Sequence, residues 1–455
     1  MLALAVCTRS VELQLRLIQQ QQSGPLRGPG FFRIPVQCNH LVFQTTAPLP
    51  AKQMPTSAEQ VTPTDVPTRN CIYCEKDKPI AEFSLEHIFP ESLGGSLCDE
   101  VFKTRRVCQR CNNLCGLFID GPFIKSWFRN NDDALASREY LTLDADDSTL
   151  PLIYMGQVQA ISTTEELCES WLGPAGEHVY HFHKRDDERF VTYLGGDPIA
   201  RRKDTGRVYV ALTASHPWWI SLALRSIKAH FRRARRYALN FDISDDKPDD
   251  PFVHTQDETA LPDIEKIRSL GNGPRTMNMS INVNAEARFM AKIARAIGHN
   301  LFGDAFLATP YAAHLKDAMW EQDSDRASEI PLYGTAYWQK GDDHAKKLLS
   351  WRGAYSIILL PNKDKFGLSV FTPTGRSAHI ALSDDPSLWR EMSTLHGGQI
   401  YIVLPQAKRF VGPIPLFEYI AHVTGSSKHP ALNELEGCRL DPSLFPPRDQ
   451  AEQTA

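Results

Sequence analysis

Two C-x-x-C pairs, Cys71-Ile72-Tyr73-Cys74 and Cys108-Gln109-Arg110-Cys111, constrain this chain more than any other feature. A C-x-x-C turn lets both sulfurs face one point, and two such turns together supply a tetrahedral thiolate cage for zinc. The N-terminal stretch MLALAVCTRSVELQLRL has no basic n-region and no clear small-residue cleavage site, so a secretory signal is not expected. In a chain of that kind paired cysteines read as metal ligands in a reducing, cytoplasmic compartment rather than as disulfides. Cys98 and Cys115 complete no pair. The gap between the pairs exceeds the roughly 15–20 residues of a simple zinc ribbon, so something sizeable is inserted between them.

That insertion contains SLEHIFPESLGG, Ser84 to Gly95: a carboxylate followed directly by His, then an apolar residue, Pro and a Gly pair. The run CIYC…EHIFPESLGG…VCQRCNN resembles the HNH endonuclease family, in the subgroup whose ββα-metal core is clasped by a four-cysteine zinc site. The similarity spans about Cys71 to Gly116, with three elements matching in order. The resemblance implies that His87 is the general base that deprotonates water. It implies that Glu86, where the family usually has Asp or His, and Asn112, where it has His or Asn, are ligands of a catalytic divalent metal, with Asn113 a neighbouring substitute. It also implies a strand ending at Glu86-His87, a turn permitted by Gly94-Gly95, and a helix that brings Asn112 back across from His87. The family's middle Asn has no counterpart here; Lys103 and Thr104 fall nearest its place.

The residue types suit phosphodiester hydrolysis. An imidazole with an ordinary pKa near about 6.5 is a natural base close to neutral pH. A carboxylate and an amide oxygen are hard donors suited to Mg2+ or Mn2+, which would stabilise the departing 3′-oxygen. The implied activity is a metal-dependent endonuclease acting on DNA and leaving 5′-phosphate and 3′-hydroxyl ends, in a defence, restriction or mobile-element setting. A non-catalytic, zinc-stabilised nucleic-acid-binding protein is the alternative.

The whole-chain fold class reads as α+β, with a small ββα-metal module followed by a larger mixed region. Residues 1–68, with a Gln run, GPLRGPG and a Pro/Thr-rich segment, are too poor in apolar residues to offset chain entropy and read as a disordered tail. The nuclease module occupies 69–130. An α+β region of unknown role spans 140–345, and a strand-rich part spans 346–440. HVYHFH, RFVTYLGG and VYVALTA read as strands, as do AYSIILLP, FGLSVFTP, SAHIALS and QIYIVLP. Apolar spacing predicts helices over 218–237 and through Phe289, Ile293, Ile297 and Leu301, the second stopping at Gly303.

A formal net charge of -4 excludes a uniformly basic surface, so a nucleic-acid partner requires a local basic patch. Two patches qualify. Lys103, Arg105, Arg106 and Arg110 flank the second cysteine pair and suit either phosphate contact or a solvated loop. Arg225, Lys228, Arg232 and Arg235 would share one face of the helix over 218–237, where a solvated face is the plainer reading. His181 and His183 point the same way on a strand, but with no carboxylate at useful sequence spacing they read, with His178, as exposed strand histidines. Trp218 and Trp219 read as core or domain-interface residues. No run of about twenty apolar residues is present, so no membrane partner is expected.

Overall fold

The computed structural model describes residues 67–124, 127–140, 149–184, 206–212, 216–239, 259–270, 277–278, 283–334, 339–340 and 343–439. Of the expected tail over 1–68, residues 1–66 lie outside the described residues, as does the RFVTYLGG strand, while Thr68 already opens the first strand. Strands β1 (Thr68–Asn70) and β2 (Asp77–Pro79) form a short antiparallel hairpin around the first cysteine pair. Strands β3 (Phe83–His87) and β4 (Lys103–Cys108) pair antiparallel, and helix α1 (Gln109–Cys115) follows β4 directly. This is the ββα arrangement that the resemblance implies.

Helix α2 (Trp127–Glu139) leads to a six-stranded sheet built from β5 (Ile153–Val158), β6 (Glu166–Leu172), β7 (His178–Lys184), β8 (Arg207–Ala211), helix α3 (Pro217–His230) and β9 (Arg235–Ala238). After helix α4 (Leu261–Ser269), strand β10 (Met277–Asn278) completes it, in the order β10-β5-β6-β7-β8-β9. All pairs are antiparallel except β8 with β9.

Helices α5 (Val283–Phe302) and α6 (Pro310–Trp320) come next. A second six-stranded antiparallel sheet is formed by β11 (Gln339–Lys340), β12 (Tyr355–Pro361), β13 (Phe366–Phe371), β14 (Arg376–Ser383), β15 (Gln399–Leu404) and β16 (Arg409–Pro415), ordered β11-β14-β13-β12-β15-β16. Helices α7 (Leu416–Val423) and α8 (Pro430–Gly437) close the described chain. Among the described residues no helix is long and apolar enough to cross a membrane.

Helix α5 organises the molecule. Its apolar stripe places Phe289, Ile293 and Ile297 in the core with no exposure, and Gly303 follows at φ 69°, a conformation that suits Gly at a helix end. One continuous core joins Cys71, Phe89, Phe102 and Cys115 of the cysteine-rich segment to Phe289 and Ile293 of α5 and to Tyr355 and Tyr401 of the second sheet. The contacts are specific: Phe123 stacks on Phe289 at 3.8 Å, Phe89 meets Tyr355 edge-on at 5.4 Å, and Phe102 meets Tyr401 edge-on at 4.9 Å. Sequence reading put a division at 345/346, yet α5 and α6 share their core with the second sheet, whereas the first sheet packs its own clusters with α3 and α4.

The helix expected over 218–237 ends at His230. Phe231 is fully buried and takes φ -111° and ψ 63°, turning the chain so that β9 pairs in parallel with β8, Arg207 opposite Arg235. Burial of Phe231 and strand pairing override the helical spacing, so Arg225, Lys228, Arg232 and Arg235 form no common helical face. Trp219 is buried as expected.

Candidate functional site

The first cysteine pair is set by a tight turn. Glu75 takes a positive φ of 57°, and its amide donates to the Cys71 carbonyl at 2.7 Å, curling the chain so that Cys71 and Cys74 face one point. The second pair sits where β4 passes into α1. The Cys108 amide donates to Cys71 Sγ at 3.3 Å, which locks the two turns together. The sulfurs of Cys71, Cys74, Cys108 and Cys111 all lie within 4.8 Å of one another, and three of the four residues are buried. The Cys71 thiol is drawn down to about 4 by the Cys111 side chain, and backbone amides add to the effect against burial, while the Cys71 side chain and burial push Cys111 up. Four sulfurs crowded at one point fit a tetrahedral ion such as zinc. Cys98 and Cys115 stay outside the cluster; burial pushes the Cys98 thiol up to about 12.

The EHIFPESLGG run hangs from the end of β3. Opposite it, Glu86 pairs with Thr104 and His87 with Lys103, with a register shift between Ser84 and Glu86. The Gly pair has a steric reason. Gly94 takes φ +93°, and a Cβ at Gly95 would lie 1.7 Å from the Phe89 carbonyl oxygen, so the loop closes over its own start only with glycine there.

His87 is half-buried at the strand end. Asn112, on α1, returns to the same strand: its side-chain amide donates to Ser84 Oγ at 3.0 Å and to the Leu85 carbonyl at 2.9 Å. The helix therefore does bring Asn112 back to β3, one residue from Glu86, with its amide nitrogen spent on the strand.

Glu86 lies inward. It is 2% exposed, and its Oε1 receives the Lys292 ammonium at 2.7 Å and the Tyr73 hydroxyl at 3.4 Å. Lys292, on α5, also reaches Asp120 Oδ2 at 3.0 Å and the carbonyls of Ile88 and His87 at 3.1 and 3.4 Å. Burial works against the Lys292 charge, but the Asp120 and Glu86 carboxylates outweigh it and hold the ammonium protonated. Burial raises the Asp120 carboxyl to about 6 against the pull of Lys292. One cation faces two carboxylates, so with both ionised the pocket keeps one net negative charge. A carboxylate and an amide oxygen are hard donors of the kind a divalent cation takes, and here Lys292 already holds the Glu86 carboxylate at 2.7 Å.

A second buried cation clamps the cysteine segment. Arg295, also on α5, donates from Nε to the Ile72 carbonyl at 2.5 Å, from Nη2 to Glu75 Oε1 at 2.6 Å, and from Nη1 to the Ala312 carbonyl. Trp320 Nε1 donates to the Tyr73 carbonyl at 3.1 Å, and Asn300 Nδ2 to the Lys103 carbonyl at 2.8 Å. Sequence reading missed Lys292 and Arg295 because a cation on an amphipathic helix ordinarily marks its solvated face. The available signal was their position among apolar neighbours, in FMAKIARAIG.

The basic residues beside the second cysteine pair divide. Arg105 and Arg110 are exposed. Arg106 is tied to Asp304 at 2.6 Å, and Lys103, 18% exposed at its side chain, lies 3.7 Å from Glu100. The strand histidines depart from expectation: His178 is exposed, but His181 and His183 are buried.

Comparison of the chain with curated proteins and with solved structures gave no match. Residues 71–128 match the HNH endonuclease family, so this segment is an HNH endonuclease domain carrying a four-cysteine cluster, which supports a nuclease-type function and a nucleic-acid substrate.

Proposed function

We propose that the protein is a metal-dependent endonuclease that hydrolyses phosphodiester bonds of DNA, with His87 as the general base. The observation that carries this reading is the placement of His87 at the half-buried end of β3, directly beside Glu86, with Asn112 tied back to the same strand by hydrogen bonds of 3.0 and 2.9 Å. His87 takes the proton of the attacking water at an imidazole nitrogen. Glu86 and the Asn112 side-chain oxygen would hold Mg2+ or Mn2+, which supplies Lewis-acid stabilisation of the departing 3′-oxygen. Lys292 fixes the Glu86 carboxylate and keeps the pocket from carrying two uncompensated charges. Arg105 and Arg110, both exposed on the second cysteine segment, contact phosphates flanking the scissile bond. Cys71, Cys74, Cys108 and Cys111 hold a structural zinc ion. The setting is restriction, defence or mobile-element biology, in the cytoplasm.

One observation favours a second reading, a non-catalytic zinc-stabilised nucleic-acid-binding protein. Lys292 already neutralises Glu86 Oε1 at 2.7 Å, a place where a metal ion would otherwise bind. Plasmid incubated with the purified chain and Mg2+ or Mn2+ separates the two. Nicking by the wild-type protein and a loss of about 10²–10⁴-fold in His87→Ala supports catalysis. Binding without cleavage under either metal supports the second reading.

A further inference from the structure

We infer that the first six-stranded sheet holds a second metal site, separate from the nuclease module, in which Glu169, His181 and His183 bind a divalent first-row transition ion, zinc foremost. Three donor atoms from these residues lie within 4.8 Å of one another, and the residues are 3%, 0% and 6% exposed respectively. The sheet register creates the cluster. Glu169 on β6 stands directly opposite His181 on β7, and His183, two residues further along, projects from the same face on the diagonal.

Each side chain is oriented by its surroundings. His183 Nδ1 lies 3.0 Å from the Lys184 carbonyl oxygen, which can only accept, so Nδ1 carries the proton and Nε2 is left with its lone pair. That Nε2 is 3.5 Å from Glu169 Oε2. His181 Nδ1 faces the same oxygen at 3.9 Å. Its other nitrogen, Nε2, is turned toward Gly206, where an added Cβ would sit 2.8 Å away. The Tyr154 hydroxyl donates to the far carboxylate oxygen, Glu169 Oε1, at 3.4 Å. A ring nitrogen held by a backbone carbonyl, and a carboxylate held by a hydroxyl, are the supports that metal-ligating His and Glu require.

The spacing argues against a simple imidazolium–carboxylate pair. Charge-assisted N–H···O bonds run at about 2.7–2.9 Å, and both imidazoles stand well beyond that from a shared oxygen. An ion with bonds of about 2.0–2.2 Å sets neighbouring tetrahedral donors roughly 3.4 Å apart, so 3.5 Å is already suitable and 3.9 Å needs closure by a few tenths. Two imidazoles and one carboxylate are a donor set for zinc or ferrous iron rather than for Mg2+ or Ca2+. Three protein ligands leave at least one position for water or an exogenous ligand. The carboxylate is 12 residues from His181 in the chain (181 − 169) and on a different strand, which is why the strand pattern alone left the histidines without a partner.

The test is a metal count and a spectrum on the full-length protein, stripped with a chelator and reloaded with Zn2+ or Co2+ alone. Elemental analysis should find one zinc ion fewer per chain in both Glu169→Gln and His183→Ala than in the wild-type protein. Co2+ should give a sulfur-to-cobalt charge-transfer band from the cysteines that the two variants retain. The wild-type protein should add d–d absorption that they lose. If one variant fails to fold, the other still decides, because the Glu86 and Asn112 oxygens are also sulfur-free donors and only loss of the band on substitution in the sheet assigns the second cobalt to it. A single ion per wild-type chain, bound with full thiolate character, overturns the inference, as does equal metal content in wild type and folded variants.

Discussion

Lys292 Nζ lies 2.7 Å from Glu86 Oε1 and 3.0 Å from Asp120 Oδ2, with no exposure of the lysine side chain. A helix in the middle of the chain thus supplies the counter-charge for a carboxylate of the nuclease segment. Breaking such a buried group by removing one partner leaves the others charged and desolvated. Lys292→Met should therefore lower the unfolding free energy by about 3–5 kcal/mol, read by urea denaturation. Adding Glu86→Gln should recover part of that loss, since one uncompensated charge disappears. An unchanged midpoint in Lys292→Met would mean that the pair carries little structural weight.

Asp132, on α2, gives a pH signature. Burial raises its carboxyl to about 6 from an ordinary 3.8, while Thr374 and Thr372 hydroxyls work in the opposite direction. The folded state therefore keeps this proton where the unfolded chain has released it. Its contribution favours the fold below pH 4 and is lost as pH rises from about 4 to about 6. Asp132→Asn keeps the shape and removes the titration. The stability of this variant relative to wild type should rise across that window by up to about 3 kcal/mol. A pH-independent difference between the two would contradict the assignment.

Zinc removal should reach beyond the cysteine segment. Cys71 and Cys108 belong to the same continuous core as α5 and the second sheet, and Arg295 ties Ile72 and Glu75 to α5. Because a structural metal contributes folding free energy, chelation or Cys71→Ser should lower the melting temperature of the α5 and second-sheet region together with the module. A tryptophan signal from Trp320, which donates to the Tyr73 carbonyl, would follow it. Loss of zinc with an unchanged transition would show that the module unfolds alone.

Phe102 offers a packing test of the same coupling. It is fully buried and meets Tyr401 edge-on at 4.9 Å, joining the nuclease loop to β15. Phe102→Ala should cost about 3–5 kcal/mol through lost burial and a residual cavity, measured by denaturant unfolding. A cost below about 1 kcal/mol, the range of volume-conserving core changes, would place the two parts in separate cooperative units.

Local chemistry was legible in the sequence, and long-range pairing was not. The two cysteine turns follow from the ligand logic of a short motif, whereas the strand ending at His87 and the return of Asn112 were what the family resemblance implied. The second-sheet strands read clearly because their apolar runs are continuous. Strand β16 escaped notice because Pro413 and Pro415 interrupt it, which an edge strand tolerates. The helix through α3 was read too long because spacing alone cannot register Phe231 turning into the core. Lys292 and Arg295 find their partners in segments some two hundred residues away, and Glu169 finds His181 only through the register of neighbouring strands, so sequence spacing alone does not name these pairings.

If His87 supplies the base for phosphodiester cleavage, free imidazole should substitute for it in a variant that lacks the ring. Single-turnover cleavage of an end-labelled DNA duplex should be measured with Mg2+ or Mn2+ for the wild-type protein and His87→Ala, with and without added imidazole. The variant should lose about 10²–10⁴-fold, with part of the rate restored by imidazole and none by sodium chloride at equal ionic strength. A variant that cleaves at the wild-type rate would contradict that role for His87.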